Sequence, residues 1–160
     1  MTNIGKLKVG RASAGSGKTF TLTVEYISLL IQNPENYRHI LAVTFTNKAT
    51  NEMKSRIVET LNGIATNNHD ADNYLRVLME RFNHTKTEKT IRETCQVALS
   101  LILHDYSHFR IETIDSFFQS IIRDLARELN LTANLRIDID QDEALADAVH
   151  QMIERMHIGD

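Results

Sequence analysis

The chain has few of the residues that cross-link, kink or loop a protein: its 160 residues include one cysteine, one proline and six glycines. Because Cys95 is alone, no disulfide can form within the chain, and we expect a reducing, cytoplasmic compartment. Scarce glycine and proline leave little turn chemistry and predict a helix-rich protein. Long apolar runs are also missing. The longest nearly uninterrupted one, residues 97–103, has seven residues, which predicts neither a membrane span nor a signal peptide.

Charge of either sign is modest overall but unevenly placed. The formal net charge is −3, with 42% hydrophobic and 24% charged residues, as in an ordinary globular domain. Residues 1–137 carry 17 basic and 14 acidic side chains, whereas residues 138–160 carry one basic and seven acidic. The average charge therefore hides a basic body and an acidic end, and it excludes no anionic partner.

Apolar periodicity predicts three strands, each followed by a helix. Residues 7–11, 39–45 and 109–114 have strand-like patterns, and helical spacing follows each of them at 20–31, 49–65 and 116–129. Ser116 and Gln119 have capping-box spacing at the start of the third of these helices. Two further helices are predicted at 71–83 and 87–104. Repeated strand-then-helix units favour a parallel sheet covered by helices, so we expect an α/β fold.

The strongest chemical signal lies between the first predicted strand and its helix. It consists of Ala12, Ser13, Ala14, Gly15, Ser16, Gly17, Lys18 and Thr19, with Phe20 directly after them. Small residues let the backbone curl so that successive N–H groups point at phosphate oxygens, and the positive end of the helix dipole lies at the same point. This spacing, between a strand and a helix, predicts a P-loop.

The predicted P-loop implies ATP and Mg²⁺ as cofactors. Lys18 would reach the β- and γ-phosphates, and the Thr19 hydroxyl would ligate the magnesium ion. Ala12 stands where the first glycine is usual, which is one departure from the strict pattern. The alternative is a Gly/Ser-rich turn with an incidental lysine. The preceding strand and the following helix favour the P-loop.

A second polar segment follows the second predicted strand: Thr44, Phe45, Thr46 and Asn47. Hydroxyl and amide groups can bond phosphates, and an aromatic ring offers a surface on which a base can stack. The alternative is that Thr46 or Asn47 only caps the helix at 49–65 while Phe45 belongs to the core. Capping and nucleic-acid contact are compatible roles.

Residues 40–57 closely resemble motif Ia of the superfamily 1 DNA helicases of the UvrD/Rep/RecB/AddA group. The resemblance implies a RecA-like P-loop NTPase fold and an ATP-dependent motor that moves on single-stranded DNA. It also implies that Thr44, Phe45, Thr46 and Asn47 contact the DNA strand. The next DNA-contacting motif of the family falls on four further residues of this chain: Thr113, Asp115, Ser116 and Phe117.

Asp115 departs from the family pattern, in which a histidine occupies that place. A carboxylate beside a phosphate is repulsive. We therefore expect Asp115 to cap the helix or to bond a base edge rather than to grip the DNA backbone.

The resemblance also predicts how the chain is organised. We expect residues 1–135 to be the N-terminal part of the RecA-like ATP-binding domain and residues 136–160 to begin an inserted helical subdomain like that of the AddA/RecB branch. Asp142 and Glu143 follow a run that alternates with charge, so we interpret them as a helix cap rather than as a Walker B pair. The expected partners are single-stranded DNA, the remainder of a longer helicase chain and a second helicase–nuclease subunit, with no membrane.

Two classes of function fit a P-loop with these neighbours. The favoured one is the ATP-binding part of a DNA helicase that works in recombination or repair. The chain is then expected to lack turnover by itself. The alternative is a small-molecule P-loop kinase or another P-loop nucleotide-binding protein, and the arginine-rich lid that a kinase needs is not visible in the sequence.

Overall fold

The structure, a computed structural model, describes residues 17–83 and 85–128. Within these ranges the chain forms five α-helices and two short strands. In chain order they are α1 (Lys18–Gln32), β1 (Ala42–Thr44), α2 (Asn47–Thr66), α3 (Asp72–Arg81), α4 (Glu88–His104), β2 (Ile111–Thr113) and α5 (Ile114–Glu128). Short 3-10 helices precede β1 at Pro34–Arg38, α3 at His69–Ala71 and β2 at Tyr106–His108.

The helices predicted at 20–31, 49–65, 71–83 and 87–104 are confirmed, with ends that differ by a few residues. Threonine side chains cap the N-terminal ends of two of these helices. The Thr46 hydroxyl accepts a hydrogen bond from the Ala49 N–H at 3.1 Å, and the Thr87 hydroxyl accepts one from the Thr90 N–H at 3.2 Å. Each satisfies a backbone donor that the helix itself leaves unpaired, so α2 and α4 begin where these caps lie.

The two strands are parallel neighbours, which confirms the α/β class for the described part of the chain. Ala42 pairs with Ile111, Val43 with Glu112 and Thr44 with Thr113. Both strands are shorter than the predicted runs at 39–45 and 109–114. The strand predicted at 7–11 lies outside the described residues.

The helix predicted at 116–129 is confirmed, although it begins two residues earlier than predicted. α5 begins at Ile114, because the Thr113 hydroxyl accepts a hydrogen bond from the Ser116 N–H at 3.1 Å and so caps the helix. Ser116 therefore lies inside the first turn and is not the first member of a capping box with Gln119. Residue 129, the predicted end of this helix, lies outside the described residues.

The core lies where α1, α2 and α4 pack together, with contributions from α3 and from β2. Its members are buried side chains at helical spacing, among them Val24, Ile27, Ile31, Met53, Ile57, Leu61, Ile64, Ile91, Cys95, Ala98 and Ile102. Burial raises the pKa of the Cys95 thiol to about 12. The thiolate that reacts is therefore scarce, and this cysteine acts as a small apolar side chain.

The chain divides into two compact units, residues 1–117 and 118–160. The first contains the sheet and α1–α4, and the second begins within α5. The predicted domain boundary at residue 135 and the pair Asp142 and Glu143 lie outside the described residues. Within residues 17–83 and 85–128, no helix is long and apolar enough to cross a membrane.

Candidate functional site

The turn from β1 into α2 leaves an aromatic ring in solvent. Only two residues, Phe45 and Thr46, separate Thr44 at the end of β1 from Asn47 at the start of α2. Thr46 is held by its capping bond to Ala49, whereas the Phe45 side chain is 88% exposed. The prediction that Thr46 caps α2 is confirmed, and the alternative that Phe45 belongs to the core is wrong.

A buried threonine that the sequence patterns did not single out fixes the shape of this turn. The Thr44 and Thr50 hydroxyls are 2.7 Å apart, and the Thr44 hydroxyl also donates to the Thr46 carbonyl at 3.1 Å. Thr50 is 7% exposed. It joins the end of β1 to the first turn of α2. Its signal in the sequence is a polar residue beside the apolar stripe of α2 that begins at Met53.

The turn from β2 into α5 has no intervening residue. Thr113 is both the last residue of β2 and the cap of α5, and its hydroxyl lies 2.8 Å from the Ser116 hydroxyl. Thr113 is 8% exposed. Asp115 lies exposed in the first turn of α5. The predicted capping role of Asp115 is therefore wrong, because Thr113 already fills it.

The strand register brings these two turns together. Thr44 and Thr113 are partners in the parallel pair, so the chain leaves β1 and β2 at the same edge of the sheet. Segments that follow neighbouring parallel strands meet at the carboxyl edge, where α/β proteins bind their ligands. The segments 44–47 and 113–117, predicted separately from the sequence, share this edge.

The described part of the predicted P-loop begins at Gly17. Gly17 has φ 75° and ψ 19°, in the left-handed region that favours glycine, and α1 begins at the next residue. Lys18 is exposed and Thr19 is half-buried. The Phe20 ring packs against Tyr74 of α3, with ring centroids 4.4 Å apart, which anchors the first turn of α1. Ala12, Ser13, Ala14, Gly15 and Ser16 lie outside the described residues.

The first turn of α1 differs from those of α2 and α4. Among the described residues no side-chain hydrogen bond caps it, whereas Thr46 and Thr87 cap α2 and α4; like α2, it has no acidic residue in its first turn. Its first N–H groups and the positive end of the helix dipole therefore retain the capacity to bind an anion. Lys18 adds a positive charge in the same turn.

The basic residues that follow the β1–α2 turn are not alike. Lys48 is exposed and lies 4.0 Å from Glu52, and Arg56 is also exposed. The Lys54 amine instead lies 5.5 Å from the centroid of the Tyr106 ring, ahead of β2. Of these three cations, Lys48 is the one nearest in sequence to Phe45.

Comparisons with known proteins show which family the chain belongs to. The UvrD/REP helicase N-terminal domain family matches residues 5–158. The RecBCD enzyme subunit RecB of Chlamydia muridarum is 59% identical over 51 residues, which are 31% of this chain and 5% of RecB. An ATP-dependent helicase/nuclease subunit of Lactococcus lactis subsp. cremoris is 30% identical over 140 residues, 88% of this chain and 10% of the relative. The ATP-dependent DNA helicase SRS2 of Saccharomyces cerevisiae is 30% identical over 126 residues, 75% of this chain and 10% of the relative.

The P-loop pattern predicted at residues 12–19 and the small parallel sheet together indicate a candidate nucleotide-binding α/β protein. More particularly, the chain belongs to the UvrD/REP helicase N-terminal domain family. It spans about a tenth or less of the length of these curated relatives. No solved structure matches it.

Proposed function

We propose that this chain is the part of an ATP-dependent DNA helicase that binds ATP and single-stranded DNA. The observation that carries the proposal is the pairing of Thr44 with Thr113, which sets the two motif-bearing turns at one sheet edge with Phe45 exposed between strand and helix. Family membership supports a RecA-like fold for the complete domain. It also favours the helicase over a small-molecule kinase.

Single-stranded DNA suits the chemistry of the shared edge. The exposed ring of Phe45 can stack on a base whatever its identity. Asn47 is exposed at the first turn of α2, where its amide group and the positive end of the helix dipole can meet a phosphate. Thr44, Thr46, Thr113, Ser116 and Phe117 complete the proposed DNA site, with Asp115 at a base edge.

The start of α1 has groups that can bind the phosphates of ATP. In the proposed site, Lys18 contacts the β- and γ-phosphates and Thr19 ligates the magnesium ion through its hydroxyl. Residues 12–17 supply backbone N–H groups, and the uncapped first turn of α1 accepts the charge of the phosphates. Bound Mg²⁺ neutralises phosphate charge, while the chain's own residues bind and orient the nucleotide.

In the longer protein, ATP hydrolysis would drive movement along single-stranded DNA in recombination or repair. The water-positioning carboxylate and the transition-state arginines are expected outside this chain, so residues 1–160 alone should hydrolyse ATP negligibly. Its proposed partners are the remainder of the helicase chain and a second helicase–nuclease subunit. The cytoplasmic compartment stays a prediction from the single cysteine.

Calorimetry with Mg-ATP tests the nucleotide half of the proposal. Lys18→Ala should weaken binding because it removes the phosphate contact, and Thr19→Ala should lessen the dependence of binding on magnesium. Lys89→Ala is the matched control, since that side chain is 85% exposed in the first turn of α4. Equal affinity for the wild-type chain, Lys18→Ala and Lys89→Ala, with all three folded, would contradict the P-loop assignment.

A further inference from the structure

The Phe45 ring takes its direction from the backbone on either side of it. The side chain is 88% exposed, so packing against the core does little to orient it. Thr44 before it is held in the sheet by its pairing with Thr113. Thr46 after it is fixed through its carbonyl, which accepts a hydrogen bond from the Thr50 N–H at 3.0 Å. The contact that joins Thr44 to Thr46 therefore sets where the ring points.

That contact depends on two hydroxyl groups in series. The Thr44 hydroxyl lies 3.1 Å from the Thr46 carbonyl, across Phe45, and 2.7 Å from the Thr50 hydroxyl. A hydroxyl has one proton to donate, and a carbonyl oxygen can only accept. Because the Thr44 proton goes to the Thr46 carbonyl, the Thr50 hydroxyl must donate to Thr44. Thr50 thus orients the group that closes the turn around Phe45.

Thr50 forms a different bond from other threonines of the helices. Within the described residues, five helical threonines donate to the carbonyl four residues earlier: Thr21, Thr23, Thr60, Thr66 and Thr94. This is the usual local bond of a threonine inside a helix. The acceptor that this rule gives to Thr50 is the Thr46 carbonyl. The Thr44 hydroxyl binds that carbonyl instead, and the Thr50 hydroxyl binds β1.

Burial protects the bond between the two hydroxyl groups. Thr50 is 7% exposed and Thr44 is half-buried, so water competes poorly for this bond. A buried hydroxyl that loses its partner is costly, which keeps the two oxygens together. The turn therefore has a fixed internal side and an exposed aromatic ring.

We propose that Thr50 is a positioning residue for DNA binding: its hydroxyl, acting through Thr44, holds the Phe45 ring in the direction in which it stacks on a base of single-stranded DNA. The inference rests on the proposed function, because it takes Phe45 to contact DNA. Thr50 is itself buried and adds no contact with the strand. A ring that is already ordered loses less freedom when a base stacks on it, so affinity rises without a new contact.

Three substitutions of Thr50 separate its hydroxyl from its shape. Thr50→Val keeps the shape and lacks the hydroxyl, and it should lower the affinity for a labelled single-stranded oligonucleotide by about three- to tenfold. That is part of the roughly 5- to 150-fold that a stacked base is worth. Thr50→Ser keeps the hydroxyl and should bind DNA nearly as the wild-type chain does. Thr50→Ala also lacks the hydroxyl and should reproduce the loss if Thr50→Val fails to fold.

Thr60→Val is the matched control. Thr60 is 6% exposed in the same helix, but its hydroxyl donates to the Arg56 carbonyl of that helix and not to the turn. Mg-ATP affinity should stay the same in all folded variants. Equal DNA affinity for Thr50→Val and the wild-type chain, while Phe45→Ala binds weakly, would overturn the proposal. Equal losses for Thr50→Val and Thr60→Val would also overturn it.

A double-variant cycle shows whether Thr50 acts through the ring. In Phe45→Ala, adding Thr50→Val should lower DNA affinity no further, because the ring that Thr50 positions is gone. The same loss with and without the ring would mean that Thr50 only stabilises the fold, and it would overturn this proposal while leaving the proposed function intact. Unchanged DNA affinity in Phe45→Ala itself would contradict the proposed DNA site and this proposal together.

Discussion

The two strand-to-helix turns at the carboxyl edge of the sheet look alike in sequence and differ in structure. After β1, two residues separate strand from helix, the cap is the exposed Thr46, and Phe45 is left in solvent. After β2, the strand passes directly into α5, and the buried Thr113 is the cap. The β1–α2 turn therefore exposes an aromatic ring to solvent, whereas the hydroxyl groups of the β2–α5 turn are engaged in hydrogen bonds that fix the backbone.

This difference separates the proposed roles of the two motifs. The hydroxyls of Thr44, Thr46 and Thr113 are all engaged in internal hydrogen bonds. Of the proposed DNA contacts outside these bonds, the Phe45 ring and the Asn47 amide are exposed and carry no negative charge, whereas the exposed Asp115 is a carboxylate that a phosphate repels. We expect DNA affinity to depend mainly on the β1–α2 turn, and the stability of the fold to depend mainly on the β2–α5 turn.

The largest expected effect is on DNA affinity. Phe45→Ala combined with Asn47→Ala should weaken binding of a labelled single-stranded oligonucleotide, because a stacked base is worth about 1–3 kcal/mol, or about 5- to 150-fold in affinity. Fluorescence anisotropy across a salt series measures it, and binding should fall as salt rises. Mg-ATP affinity should stay nearly unchanged.

Tyr106→Ala is the aromatic control for that experiment. Tyr106 is 48% exposed and precedes β2, so it lies away from the turns that follow the strands. If Tyr106→Ala weakens DNA binding as much as the double variant does, the β1–α2 turn contributes no more to DNA binding than an exposed aromatic residue elsewhere. If the double variant binds DNA as tightly as the wild-type chain does, the β1–α2 turn serves only to cap α2.

A smaller effect should distinguish the two caps. Thr113→Ala should lower the free energy of unfolding by about 1–2 kcal/mol and Thr46→Ala by about 0.5–1 kcal/mol, because the first cap is buried and the second is exposed. Urea unfolding followed by circular dichroism measures both. A larger loss of stability for Thr46→Ala than for Thr113→Ala would contradict the structural role assigned to the β2–α5 turn.

The smallest effect concerns the segments ahead of the two strands. Asp105 accepts hydrogen bonds from the Tyr37 hydroxyl at 3.1 Å and pairs with Arg38 at 3.0 Å, which joins the segment before β2 to the one before β1. The hydrogen bond between His108 and Asp105 chiefly lowers the pKa of that carboxyl group, with further help from Ser107 and Tyr37.

Because the pKa of Asp105 is lower in the folded state, its contribution is complete above the unfolded pKa and is lost as the pH falls through the folded pKa. Asp105→Asn should therefore reduce the loss of stability between neutral and acid pH. Urea unfolding at several pH values checks this, with the exposed Asp70→Asn as control. Identical acid profiles for the wild-type chain and Asp105→Asn would show that the carboxylate does not link the segments.

The helix interiors could be predicted from the sequence because periodic apolar residues such as Ile57, Leu61 and Ile64 define one face. The helix ends could not. Thr113 and Ser116 are both good caps three residues apart, and Ile114 between them suits a strand or a helix equally. The structure decides for Thr113 through its bond to the Ser116 N–H.

The candidate site was predictable in its motifs but not in its assembly. Local chemistry identifies the segment at 44–47, because hydroxyl, amide and aromatic groups cluster there. The pairing of Thr44 with Thr113 joins residues that are separated by three helices, and no local pattern encodes that register. Thr50 was missed for a related reason, since its partner hydroxyl belongs to another element.

A single tryptophan tests the central claim most directly, since the chain contains none. In Phe45→Trp, single-stranded DNA should quench the indole fluorescence saturably and less at high salt, because the ring stacks on a base. In Tyr106→Trp the same DNA should leave the fluorescence unchanged. If the fluorescence of Phe45→Trp does not change while anisotropy shows the oligonucleotide bound, the exposed ring after β1 is not where this chain meets DNA.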